Sequence, residues 1–224
     1  MADYLPRERK LSLKVVYYGP ALSGKTTNLM QLHTLLRPQR KGELMVLETR
    51  DDRTLFFDVL PIGLRSAGGL DLRLKLYTVP GQVQHDSTRK AVLSRADGVI
   101  FVADSQLAQQ DNNANAFDNL AGNLQKLGMD IEGLPLVVQF NKRDVSDVVS
   151  EAALQERWAQ TPWWPLCLAS ALSGQGVVES FRLLLQRLYP VLDAEFQLAT
   201  QEGISAEDFV RRLSVLDGER HAQL

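Results

Sequence analysis

Leu11-Ser-Leu-Lys-Val-Val-Tyr-Tyr18 leads directly into Gly19-Pro-Ala-Leu-Ser-Gly24-Lys25-Thr26, and the chain continues to Leu36 with Leu29, Leu32, Leu35 and Leu36 at helical spacing. The first part, rich in leucine, valine and tyrosine, predicts a strand. The last predicts a helix over 24–36, ended by Arg37-Pro38. The part between matches G-x-x-x-x-G-K-[ST] in full, in the strand–loop–helix context that the motif requires. Backbone N–H groups of such a loop, and of the helix N-terminus behind it, point inward at an anion. Glycine at 19 and 24 permits the turn and the close approach of backbone to phosphate. Lys25 is placed to neutralise phosphate charge, and Thr26 to offer its hydroxyl to Mg2+. Ala21, Leu22, Ser23 and Thr27 complete the expected phosphate-contacting set. A chance match is the competing reading, and the flanking pattern makes it weak.

Downstream, strand-like and helix-like segments alternate. This predicts an α/β fold with a mostly parallel central sheet and helices on both faces. Short apolar runs at 44–47 and 55–60 precede an alternating segment at 70–79, with Gly68-Gly69 as a hairpin turn between them. One antiparallel strand pair is therefore expected. The continuous apolar runs at 98–103 and 134–140 read as strands buried on both faces. Helices are predicted over 114–127, over 150–159 with Ser150 as cap, and over 177–192, where Phe181, Leu184, Leu185 and Leu188 form one stripe. The last strand is predicted at 165–170.

Asn141-Lys-Arg-Asp144 follows the apolar run 134–140. A carboxylate at 144 can accept from the N1–H and the exocyclic amino group of guanine. Adenine offers neither donor and would leave the carboxylate desolvated and unpaired, at a cost of several kcal/mol. Asn141 can meet the other guanine edge and tie loops together, and the stem of Lys142 can lie against the base plane. Ser170-Ala171 falls where a further base-contacting loop is expected. Four residues N-K-x-D are a weak signal alone; their order behind a strand and the phosphate loop makes them strong.

The 224 residues suit one domain with an appendage, read as 1–193 followed by a helical extension, 194–224. A net charge of −2 predicts no overall pull towards nucleic acid or anionic lipid. The lone cysteine, Cys167, forbids an internal disulfide, fits a reducing cytoplasm and reads as a core residue. No run approaches the roughly 20 apolar residues that span a bilayer, and Gly218–Leu224 holds no prenylation cysteine, so direct membrane insertion is not expected. In the extension, Ser205-Ala-Glu-Asp208 starts a helix carrying Phe209, Val210, Leu213 and Leu216 at helical spacing. That helix either packs back on the domain or docks a partner; disorder is the third alternative.

Tyr17-Tyr-Gly-Pro-Ala-Leu-Ser-Gly-Lys-Thr-Thr-Asn28, Asp52-Arg-Thr-Leu-Phe-Phe-Asp58, Tyr77-Thr-Val-Pro-Gly-Gln82, Val102-Ala-Asp-Ser-Gln106 and Asn141-Lys-Arg-Asp144 together resemble the MglA group of bacterial small Ras-like GTPases, over about residues 8–190. The resemblance implies a Ras-like fold and a cytoplasmic polarity and motility switch, acting at a cell pole, that binds GTP or GDP with Mg2+. It implies a roadblock/LC7-fold activating partner of the MglB kind and effectors that follow the nucleotide state. Thr54 is then the switch-one threonine that closes on magnesium. Arg53 is a built-in arginine finger, with a solvated surface arginine as the competing reading. Gly81 gives its N–H to the γ-phosphate, and Gln82 orients the attacking water. His85 reads as a surface histidine beside this machinery.

Two positions stand out. Thr78 replaces the aspartate usual three residues before the glycine, a replacement the MglA group shares, and it removes a carboxylate from the magnesium surroundings. Ala21 stands where the family has glycine, and a methyl group there can obstruct Gln82 or Arg53. Weak unaided turnover is expected. A nucleotide-bound scaffold with little hydrolysis is the alternative, and an ATP-using enzyme is disfavoured by Asp144.

Overall fold

The computed structural model describes residues 2–47, 57–80 and 86–218. Its strands are β1 (Asp3–Leu5), β2 (Lys10–Tyr18), β3 (Met45–Leu47), β4 (Phe57–Arg65), β5 (Asp71–Thr78), β6 (Gly98–Asp104), β7 (Leu136–Asn141) and β8 (Cys167–Leu168). Its helices are α1 (Lys25–Leu35), α2 (Asp86–Leu93), α3 (Gln110–Lys126), α4 (Glu151–Trp158), α5 (Val177–Phe196), α6 (Leu198–Glu202) and α7 (Ala206–Leu213). The sheet order is β3-β4-β5-β2-β6-β7-β8, with β1 paired to β2 off that path. Strands from β5 through β8 run parallel, and the expected hairpin is the antiparallel pair β4–β5. The three-residue strands β1 and β3 add short antiparallel pairings at the margins.

Side-chain alternation explains the two cores. Leu11, Leu13 and Val15 of β2 and Leu72, Leu74 and Leu76 of β5 face one way, against Leu29 and Leu32 of α1 and Phe181, Leu184 and Leu185 of α5. Val16 and Tyr18 face the other way with Phe101, Leu120, Leu124 and Phe140. Every residue of β6 and β7 is buried, as their continuous apolar runs require. Trp158 and Trp163 pack edge-on against Phe117 in the second core, whereas Trp164 stays exposed.

Three expectations change. Strand β8 is two residues long, because Pro165 brings no N–H and Ser170 donates to the Gln175 carbonyl instead of continuing the ladder. Cys167 on that edge strand is consequently half-buried rather than a core residue. Helix α3 begins at Gln110, four residues before the apolar pattern starts, because its first turn is polar.

Beyond residue 196 the chain folds back. Helix α5 runs on to Phe196, and Leu198, Ile204, Phe209 and Leu213 join the first core. Ser205 caps α7, accepting from the Asp208 N–H at 3.1 Å. The Tyr189 hydroxyl donates to the Ile204 carbonyl at 2.8 Å, Arg182 to Ser214 Oγ at 2.9 Å, and the Asp217 N–H to the Leu35 carbonyl at 2.8 Å. At the tip of β4–β5, Glu202 accepts from Arg9 at 2.7 Å and from Ser66 Oγ at 2.9 Å, and Arg212 donates to the Arg65 carbonyl. The apolar stripe of α7 is thus spent on the chain's own core.

Candidate functional site

The carboxyl ends of β2, β6 and β7 stand side by side, the place where parallel α/β sheets bind ligands. The loop after β2 carries the phosphate motif, and α1 starts at Lys25 directly behind it. Gly19 has φ +146°, and a Cβ built there would lie 2.2 Å from the Val102 carbonyl oxygen of β6. Gly24 has φ +96°, and its Cβ would lie 2.2 Å from Asn141 Nδ2. Both positions exclude every side chain. Leu22, though not glycine, holds φ +61°, and Lys142 holds φ +65°. Left-handed conformations of this kind cost free energy and persist where the surrounding fold imposes them.

Lys25 is buried and its Nζ donates to the Gly19 and Pro20 carbonyls at 3.1 and 2.6 Å. Burial, followed by the nearby Arg89 charge, pushes its pKa down to about 7. A desolvated ammonium aimed into a loop of this shape is stabilised by an incoming anion. Ser23 Oγ is buried with no hydrogen-bond partner among the described residues. Ala21, Leu22, Thr26 and Thr27 are exposed at the loop crest and the first helical turn. The cradle fits a phosphate chain, and the Thr26 hydroxyl at its rim suits a hard cation such as Mg2+.

The Asn141–Asp144 motif is locked to this loop. Asn141, fully buried, donates through Nδ2 to the Ser23 carbonyl at 2.8 Å and accepts at Oδ1 from the Ala171 N–H at 2.8 Å. One amide therefore ties together the phosphate loop, the end of β7 and the Ser170-Ala171 loop. Asp144 is exposed beside it. Lys142 Nζ pairs with Asp104 at 2.7 Å, and Asp104 also accepts from the Gln106 N–H at 3.0 Å, so this aspartate orders the loop after β6. A buried polar chain supports α1 from below: Gln139 donates to Asn28 Oδ1 at 2.9 Å and Ser180 Oγ at 3.0 Å.

Arg53, Thr54, Gly81, Gln82 and His85 lie outside the described residues. Thr78 lies within them. Its hydroxyl donates to Asp58 Oδ2 at 3.1 Å and accepts from the Asp58 N–H at 2.9 Å. Both side chains are buried, and Thr78 pairs in register with Tyr17, two residues before Gly19. A buried carboxylate from the neighbouring strand thus hydrogen-bonds the Thr78 side chain. The signal was a lone acid inside the apolar run Phe56-Phe-Asp58-Val-Leu60. Arg89 was also missed: buried on α2, it donates to the Pro80 carbonyl at 3.1 Å and to Asn119 Oδ1 at 2.8 Å. Its only trace in sequence is its place three and four residues before Val92 and Leu93, on their buried stripe.

The sequence pattern of the ADP-ribosylation factor family matches residues 4–188. Mutual gliding-motility protein MglA of Myxococcus xanthus (strain DK1622) is 47% identical over 142 residues, 63% of this chain and 73% of that protein. ADP-ribosylation factor-like protein 6 of Caenorhabditis briggsae is 25% identical, covering 82% of this chain and 90% of its own length. ADP-ribosylation factor-like protein 2 of Arabidopsis thaliana is 22% identical over 80% and 89% respectively.

Proposed function

Because the chain belongs to the ADP-ribosylation factor family of Ras-like GTPases, and is itself a GTPase that binds guanine nucleotide, we propose that it is a Mg2+-dependent switch of cell polarity or motility. The observation that carries this reading is the interlock of Gly24 with Asn141, which joins the phosphate cradle and the guanine-reading motif into one site. In this reading Lys25 and the backbone of 19–27 hold the phosphates, Asp144 selects guanine, and Lys142, Ser170 and Ala171 line the base. Thr26 and Thr54 hold magnesium, with Asp58 beside Thr78 contributing negative charge to its surroundings. Mg2+ held there would neutralise negative charge on the phosphates while the γ-phosphoryl group passes to water and GDP leaves. Gly81 senses the γ-phosphate, Gln82 orients water, and Arg53 stabilises the charge that develops.

Residues 1–193 carry the switch, and 194–224 form an extension. The gliding-motility name of the Myxococcus protein supports a motility role. By the same family reading, a roadblock-fold, MglB-like partner accelerates turnover, nucleotide-dependent effectors follow the switch, and the protein works in the cytoplasm, at a cell pole. No described helix is long and apolar enough to cross a membrane.

Competition for Mg2+-nucleotide tests the site, with GTP expected to exceed ATP by on the order of 10⁴-fold. Equal binding of the two defeats the proposal. Turnover with and without a roadblock-fold protein, in wild type and Ala21→Gly, tests the switch; faster hydrolysis with the partner is expected. A flat response in both proteins favours the nucleotide-bound scaffold, which Ala21 supports and the Asp58–Thr78 pair weakens.

A further inference from the structure

One face of the β4–β5 hairpin is covered, whereas among the described residues the other is open beyond Val59 and Tyr77. Helices α1 and α7 pack against Leu60, Ile62, Leu64, Leu72, Leu74 and Leu76 on the inner face. The opposite face presents Pro61, Gly63 and Arg65 from β4, in register with Lys75, Arg73 and Asp71 from β5. It forms a groove of about 610 Å³. Gly63 and Pro61 keep its floor low between two walls. One wall is Arg73 and Lys75. The other is Arg40 and Lys41, held against β4 where the Gly42 N–H donates to the Pro61 carbonyl at 2.8 Å. A Cβ at Gly42 would come within 2.7 Å of Pro61 Cγ, so only glycine allows that approach.

Five cationic side chains line this groove, Arg40, Lys41, Arg65, Arg73 and Lys75, against one carboxylate, Asp71. Asp71 is already paired with Arg73 at 2.9 Å. Among the described residues neither Arg40 nor Lys75 has an ion-pair partner. Burial, then the charges of Arg212 and Arg37, pull Arg40 below its ordinary pKa, so still more positive charge crowds the rim. In a chain of net charge −2 this is a concentrated exception.

We propose that this groove is a docking site for an extended, acidic polypeptide segment of a partner protein. Charge complementarity sets the sign. Strand geometry sets the form: Arg73 and Lys75 are two residues apart on one face, a repeat of about 6.6 Å, which matches alternate side chains of an extended peptide. The concave shape argues against a bilayer. So do Ile62 and Leu64, the only long aliphatic chains of the groove, which point away into the core and leave nothing to insert among lipids. This inference goes beyond the nucleotide chemistry and stands apart from it.

The test uses the full chain and a fluorescein-labelled peptide of alternating glutamate and serine, about ten residues long as that strand repeat requires. Anisotropy should show binding that weakens as NaCl rises from about 0.05 to 0.3 M. Lys75→Glu and Arg40→Glu, each checked for an unchanged melting profile, should each weaken it about tenfold or more. Lys126→Glu, exposed at the end of α3, should leave it unchanged. Failure of the peptide to bind wild type overturns the proposal, as does equal loss in all three variants. Groove-dependent sedimentation with phosphatidylserine vesicles, without peptide binding, overturns it in favour of a membrane.

Discussion

The two ends of the β4–β5 hairpin are built on opposite principles. At the end beside the phosphate loop, Thr78 and Asp58 face each other at the edge of a site whose Lys25 is desolvated and whose Ser23 hydroxyl lacks a partner among the described residues. At the other end, Ser66 Oγ, the Arg65 carbonyl and Glu202 are all satisfied within the chain. A site that must receive an anion keeps cations and donors in reserve, which costs stability. Where the extension meets the distal tip, each of these groups already has its partner within the chain.

Variants in the two regions should therefore separate stability from binding. The largest effect is expected from Phe209→Ala. Phe209 is fully buried, and its loss should lower folding stability by about 3–5 kcal/mol in a denaturant titration while nucleotide affinity of the folded fraction holds. Lys25→Ala should do the reverse. Affinity for a fluorescent GDP analogue should fall about hundredfold, some 2.7 kcal/mol, with the melting temperature of the nucleotide-free protein unchanged or raised. Glu202→Ala leaves Ser66 and Arg9 without their shared acceptor at the hairpin tip. A loss of about 2 kcal/mol on denaturation is expected, again without a change in nucleotide affinity. Ser205→Ala removes only the cap of α7 and should cost about 1 kcal/mol. If the Glu202 or Ser205 variant changes nucleotide affinity severalfold, the two ends are coupled rather than independent.

Much of the site could be read before the fold was known, because its signals are local. Gly19, Gly24, Lys25 and Thr26 lie within eight residues, flanked by the strand and helix that give them meaning. Helix 150–159 showed its cap, and Ser150 indeed accepts from the Ala153 N–H at 3.2 Å. Asp58 and Arg89 escaped notice because a buried polar residue looks, in sequence, like a break in a pattern. Only its partner, here Thr78 or Asn119, turns the break into a structure.

The sequence alone determined where most of the strands and helices fall and where the G-x-x-x-x-G-K-[ST] and N-K-x-D motifs lie among them. Periodicity, glycine placement and motif order act over a few residues and need no tertiary context. The tertiary structure decided what those motifs share. Asn141 meets Ser23 across 118 positions, Glu202 meets Ser66 across 136, and the cations of two strands and an edge segment surround the glycine floor at Gly63. Such contacts depend on sheet order and register, which bring distant residues within hydrogen-bond or Coulomb range, and no local pattern encodes that proximity.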